Sequence, residues 1–130
     1  MLVLDTNILI DIEKNNKTVK EQLMKQSLLY GRNPSITALT YSEFLFGYLS
    51  KSNKEIDQAL EILALYTILH TTKASAQLIA ELQYSLEKKG TPLPLADVIT
   101  AAIVLSYGAT LVTRDNDFKR IEKMKTLFIS

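Results

Sequence analysis

Residues 2–12 read LVLDTNILIDI, and this run constrains the fold more than any other stretch of the chain. Three apolar residues, Leu2, Val3 and Leu4, pass directly into the polar triplet Asp5, Thr6 and Asn7, and apolar residues resume at Ile8, Leu9, Ile10 and Ile12. A short uninterrupted apolar run is the pattern of a strand buried on both faces, as in a parallel sheet covered by helices. The polar triplet carries side chains suited to a helix start. Asp5 therefore falls where a buried strand ends and a helix begins, the edge at which open α/β sheets bind ligands.

The rest of the chain repeats that alternation. Helices are expected over Thr6–Glu13, Thr18–Leu29, Thr40–Leu49, Lys54–Leu65, Thr71–Lys89 and Leu95–Tyr107, with Gly31 to Pro34 ending the second, Gly90 closing the fifth and Gly108 the sixth. Strands are expected over Ser35–Leu39, Thr67–Leu69, Ala109–Val112 and near Leu127–Ile129, and a short helix follows TRDNDF. Residues 50–54, SKSNK, read as a loop. The strands are too far apart for hairpins, so the fold class is α/β: a central, mainly parallel sheet flanked by helices on both faces.

A chain of 130 residues fits one domain, 1–130, large enough to bury a core without staples. It has no cysteine, which excludes disulfides and thiolate metal sites and suits a reducing cytoplasm. No apolar run approaches the roughly 18 residues of a membrane span, and no signal peptide is visible, so a cytoplasmic protein is expected. The net charge is +1, which neither demands nor forbids a nucleic-acid partner. If four of the 14 acids share one metal site, however, the remaining ten face 15 basic residues, a surface that tolerates a polyanion.

Five acids stand at element starts, and each has an ordinary structural explanation. Asp5 can cap the first helix. Glu43 completes Thr40-Tyr41-Ser42-Glu43, the spacing of a capping box. Asp97 falls in the first turn of its helix, where the helix dipole favours negative charge. Asp115 and Asp117 lie in a turn, and either could cap the short helix that follows. Their conjunction carries more weight than any one of them. Asp5 and Asp115 directly follow strands and Glu43 lies a turn beyond another, which directs all three to the carboxyl edge of the sheet. Topology by itself does not bring Asp97 there. In LPLADVITAAIVL, though, it is the sole charged residue, and a partly buried carboxylate requires a cation, a metal or a proton.

An all-carboxylate cluster suits Mg²⁺ or Mn²⁺, whereas zinc usually recruits histidine or cysteine, and His70 reads as a structural or surface residue. Carboxylates holding Mg²⁺ suit phosphodiester hydrolysis. Glycine is too scarce for a P-loop or a dinucleotide fingerprint.

The chain resembles the PIN-domain ribonucleases of the VapC toxin type. The likeness rests on LDTNILID, TYSEFLFG, PLPLADVITAAIVLSYGATLVT and TRDNDFKRI, four stretches in order that together span nearly the whole chain. It implies a PIN-like α/β fold, Mg²⁺ or Mn²⁺ dependence and endonucleolytic cleavage of RNA by the toxin of a type II toxin–antitoxin system. It also implies a cognate VapB-type antitoxin and a homodimer. Carried over by motif position, the catalytic and metal-binding acids are Asp5, Glu43, Asp97 and Asp115. Relatives often read Thr-x-Asn-x-x-Asp-Phe in the last motif, and Thr113 to Phe118 is one residue shorter, so Asp117 stands in reserve. Asn7 and Thr113 match positions that orient the cluster by hydrogen bonds, a role physically suited to residues behind ligating carboxylates.

Arg114, Lys119 and Arg120 are the expected contacts to RNA phosphates, while Lys14, Lys17, Lys20 and Lys25 read as a solvated face. The unbroken apolar run Phe44–Leu49 exceeds what one helix face can bury, which marks either a helix enclosed on several sides or a surface for the antitoxin or a second copy. Two other functions compete: a catalytically silent PIN-like interaction module, against which all four acids stand, and a phosphotransfer domain with Asp5 as acceptor, which lacks Asp-x-Asp because residue 7 is Asn.

Overall fold

In the computed structural model, which describes residues 1–30 and 33–129, five strands and six α-helices alternate along the chain. The strands are β1 (Leu2–Leu4), β2 (Ser35–Thr37), β3 (Thr67–Leu69), β4 (Thr110–Thr113) and β5 (Lys125–Phe128). They form one sheet in the order β3-β2-β1-β4-β5, with every neighbouring pair parallel. β1 is therefore central, and its three residues are buried. Edge strand β5 is only partly covered, with Lys125 and Phe128 exposed.

Successive strand residues face opposite sides of the sheet, so the chain builds two cores. Leu2, Leu4, Ile36 and Val112 pack with Ile8 and Leu9 of α1 (Thr6–Glu13), Val19 and Leu23 of α2 (Lys17–Tyr30), Phe44 of α3 (Ala38–Phe46), and Ala59 and Leu63 of α4 (Asn53–Leu63). On the other face, Val3 and Leu111 pack with Leu82 and Leu86 of α5 (Lys73–Lys88) and with the apolar body of α6 (Leu95–Ser106). Helices thus cover both faces, as a parallel sheet requires. Among the described residues no helix is long and apolar enough to cross a membrane.

Three local features differ from the sequence reading. The strand expected to reach Leu39 stops at Thr37, because the Thr37 hydroxyl accepts a hydrogen bond from the Thr40 amide at 3.2 Å and starts α3 two residues early. Met24, which helical spacing groups with Val19 and Leu23 on one side of α2, is exposed, whereas Val19 and Leu23 are buried. The last strand begins at Lys125 rather than near Leu127. The helix-ending run at Gly31 and Arg32 lies outside the described residues.

The link from α6 to β4 positions the site. Gly108 adopts φ +61°, open to glycine without strain, and the Gly108 and Ala109 amides donate to the carbonyls of Leu105 and Val104. These two bonds close α6 in a Schellman turn. Because only Tyr107, Gly108 and Ala109 separate the elements, α6 must run antiparallel to β4. Its 12 residues rise about 18 Å while the four of β4 span about 13 Å, so the start of α6 stands above the carboxyl end of the strand.

Candidate functional site

The strand order reverses at β1 and β4: the chain proceeds outward to β2 and β3 on one side and to β5 on the other. In open parallel sheets the crevice at such a switch point binds ligands. Asp5 follows β1 and Asp115 lies just beyond β4, so both stand at this crevice.

Asp5 is held from three directions. Its backbone amide donates to Val112 at 2.9 Å, which extends the β1–β4 pairing. Its carboxylate accepts from the Thr6 amide at 2.9 Å and from the Thr113 hydroxyl at 2.7 Å. The buried Thr113 oxygen in turn accepts the Asp115 amide at 3.0 Å, and the Asp115 carboxylate accepts the Asp117 amide at 2.9 Å, capping a short 3-10 helix at Asn116–Arg120. One buried hydroxyl thus ties together the two acids after β1 and β4. Burial pushes the Asp5 carboxyl above its ordinary 3.8, the hydrogen bonds from Thr113 and Thr6 oppose that rise, and the Asp115 charge adds to it.

Glu43 has a different role from the one its spacing suggests. Thr37, not Thr40, caps α3, and the Glu43 carboxylate accepts the Thr6 hydroxyl at 3.0 Å. Since that hydroxyl spends its only proton on Glu43, the Thr40 hydroxyl, 3.0 Å away, must donate to Thr6. The relay Thr40 to Thr6 to Glu43 fastens α3 to the start of α1. Thr6 is therefore a site residue that sequence reasoning treated only as helix-start chemistry, and its partner lies 37 positions away.

Asp97 reaches the same edge because α6 starts there. Every influence on its carboxyl raises the pKa, to about 6: burial first, then the charges of Asp115, Asp5, Glu43 and Asp117. The structure thus brings Asp5, Glu43, Asp115 and the reserve Asp117 within range of Asp97, on whose carboxyl all four charges act. They do not form a finished cage: among the described residues no three acidic or imidazole groups are gathered closely enough to hold an ion as they stand. His70 is exposed.

The cations expected to meet RNA are anchored locally. Arg114 lies just past the end of β4, and its guanidinium pairs with Asp11 of α1. Arg120 donates to the Pro92 carbonyl at 2.9 Å and lies 3.5 Å from Asp117, and the Lys119 ammonium lies over the Phe128 ring at 5.0 Å. The Arg114–Asp11 pair is partly exposed, so breaking it with Asp11→Ala should cost about 0.5–1 kcal/mol. A double-mutant cycle with Arg114→Ala, measured by urea unfolding, checks that coupling.

Beside Glu43 a groove runs between α1 and α3. One end, about 480 Å³, is lined by Thr6, Asn7, Ile10, Ser42, Glu43 and Phe46. The other, about 230 Å³, continues past Phe44 and Tyr48 to Lys51. Phe44 is buried, but Phe46 and Leu49 are 77% and 58% exposed, so the helix is not enclosed on all sides. Asn7 is exposed at the mouth of this groove.

Comparison with known proteins bears on this arrangement. A family model described as PIN domain matches residues 2–124. No curated protein matches the chain in sequence. Among solved structures, VapBC2 from Rickettsia felis, bound to a DNA fragment from its promoter, contains a chain that is 26% identical, with a TM-score of 0.81 over 99% of this chain and 98% of that one. VapBC-1 from nontypeable Haemophilus influenzae is 25% identical, with a TM-score of 0.81 over 98% and 96%. FitAcB from Neisseria gonorrhoeae, at 24% identity and a TM-score of 0.82 over 98% and 96%, shares the fold.

Proposed function

The chain belongs to the PIN-domain family, and from that premise we propose that it is the toxin of a type II toxin–antitoxin pair, a Mg²⁺-dependent endoribonuclease with Mn²⁺ as a possible substitute. The observation that carries this reading is the crowding of carboxylates around Asp97, whose proton affinity is raised by burial and by four like charges. Such a group at neutral pH calls for a cation, and a donor set made only of carboxylate oxygen fits a hard divalent ion. Asp5, Glu43, Asp97 and Asp115 would hold it, with Asp117 beside them. When bound, the ion supplies Lewis acidity, lowering the pKa of a water molecule and offsetting charge on the phosphodiester oxygens.

The chain's own residues supply positioning. Thr113 aims Asp5 and fixes the backbone of Asp115 through one hydroxyl. Thr6 holds Glu43 against the start of α1. Asn7 lines the same concavity as Glu43 and is assigned to orient the acids. Arg114, Lys119 and Arg120, neighbours of Asp115 and Asp117 in the chain, are assigned to the RNA phosphates.

The protein partners belong to the same proposal. The similar solved structures from Rickettsia felis and Haemophilus influenzae are VapBC2 and VapBC-1, and exposed Phe46 of α3 and Leu49 in the turn after it support a protein contact there. That contact is assigned to a VapB-type antitoxin, and the active form to a homodimer. Purified protein should cut total RNA with Mg²⁺, stop in EDTA and resume when Mg²⁺ is restored, read by mapping the cut ends. Cleavage undiminished by the chelator would exclude the metal reading, and no cleavage with either ion would exclude the nuclease.

A further inference from the structure

A second concavity lies on the α5 side of the acids. Its floor is apolar, formed by Leu82 and Leu86 of α5 and by Ile121, and its rim carries Lys89, Arg120 and Lys123 against a single acid, Glu122. The hollow measures about 260 Å³, below the roughly 300–1,000 Å³ of sites that enclose small molecules. It suits a segment of a longer ligand rather than a free metabolite.

The ordinary explanation for a lysine at the end of a helix is that it neutralises the last carbonyls. At α5 three of the last carbonyls, those of Ser85, Leu86 and Glu87, already accept backbone amides. The Gly90 and Thr91 amides donate to the Glu87 and Leu86 carbonyls, in a turn that Gly90 permits with φ +74°. Lys88 is also accounted for, since its ammonium lies 5.6 Å from the Tyr84 ring. Lys89 and Lys123 are exposed on the rim.

Arg120 connects the hollow to the acids. One side of its guanidinium bonds to the Pro92 carbonyl, in the loop that enters α6, and the other faces Asp117, whose charge is felt by Asp97. A phosphodiester strand entering the acidic crevice meets repulsion until a cation neutralises it, so its affinity must come from positive charge alongside. We propose that the hollow rimmed by Lys89, Arg120 and Lys123 is an anion subsite that grips the backbone phosphates of single-stranded RNA flanking the acids. This assignment rests on the ribonuclease reading.

The test is binding of a fluorescein-labelled oligouridine to the full chain in EDTA, where cutting does not interfere. Lys89→Gln with Lys123→Gln should weaken binding about tenfold and reduce the slope of log affinity against log salt by about 1.4, the loss of two single-strand phosphate contacts. Lys17→Gln with Lys20→Gln removes the same charge from α2, which packs on the opposite face of the sheet, and should leave affinity near wild type. Thermal melts verify that both variants fold. Equal losses in the two double variants, or no loss in the first, overturn the subsite. If wild type cuts RNA while that happens, the ribonuclease reading stands alone; if wild type neither binds nor cuts RNA, both fall.

Discussion

Asp5→Asn should lower Mg²⁺-dependent RNA cleavage on the order of 10²-fold or more while leaving the protein folded. Loss of one ligating carboxylate removes part of the metal's charge stabilisation, worth several kcal/mol, and each 1.36 kcal/mol is a factor of ten in rate. The fold should survive because asparagine caps helices about as well as aspartate and its carbonyl can still accept the Thr6 amide. The new amide can also face the Thr113 oxygen, although the Thr113 proton then needs another acceptor. RNA cleavage assays with matched circular dichroism melts check both halves. A folded variant with full activity would remove Asp5 from the catalytic set.

The second large effect is one of stability. Asp97 has a folded pKa of about 6 against an ordinary 3.8. Because the folded state holds this proton more tightly, its contribution to stability is complete below about pH 3.8 and is lost as pH rises through about 6. Asp5 is shifted in the same direction. Asp97→Asn should therefore stabilise the protein in chelator at neutral pH, even as it removes a proposed ligand. The full shift corresponds to about 3 kcal/mol, and solvent and salt screening at this partly exposed position reduce the expected gain to about 1 kcal/mol. Urea unfolding from pH 4 to 8 should show wild type losing stability across that window and the variant changing less. Mg²⁺ should then stabilise wild type more than the variant. Identical pH profiles would refute the electrostatic picture.

What was legible in the sequence follows the distance over which each signal acts. Asp5 could be placed at the sheet edge because the strand that ends there and the helix that begins there adjoin it in the chain. Asp97 has a topological route that the sequence reading did not take. A helix leading directly into a parallel strand runs against that strand, so its first turn stands at the carboxyl edge, and the Gly108 signal held the information. The capping-box explanation of Glu43 failed for the opposite reason. Thr40 and Glu43 have capping-box spacing, but Thr37 satisfies the orphan Thr40 amide, which frees Glu43 for a hydroxyl 37 positions away. Spacing tells which residues are able to cap; the backbone decides which one does. The links from Thr6 to Glu43 and from Arg114 to Asp11 join distant segments, and no local pattern reports them.

The Schellman turn at Gly108 makes α6 a gauge. Its lower end is pinned to the start of β4, so the height and angular setting of Asp97 are measured out by the number of residues between them. One residue added to or removed from the body of α6 would swing Asp97 by about 100° and displace it by about 1.5 Å along the axis. A change of length in the exposed turn at residues 47–52 would fall outside that span. Insertions and deletions in this protein are therefore constrained by counting from Gly108 back to Asp97, even where the intervening side chains do no more than fill the core.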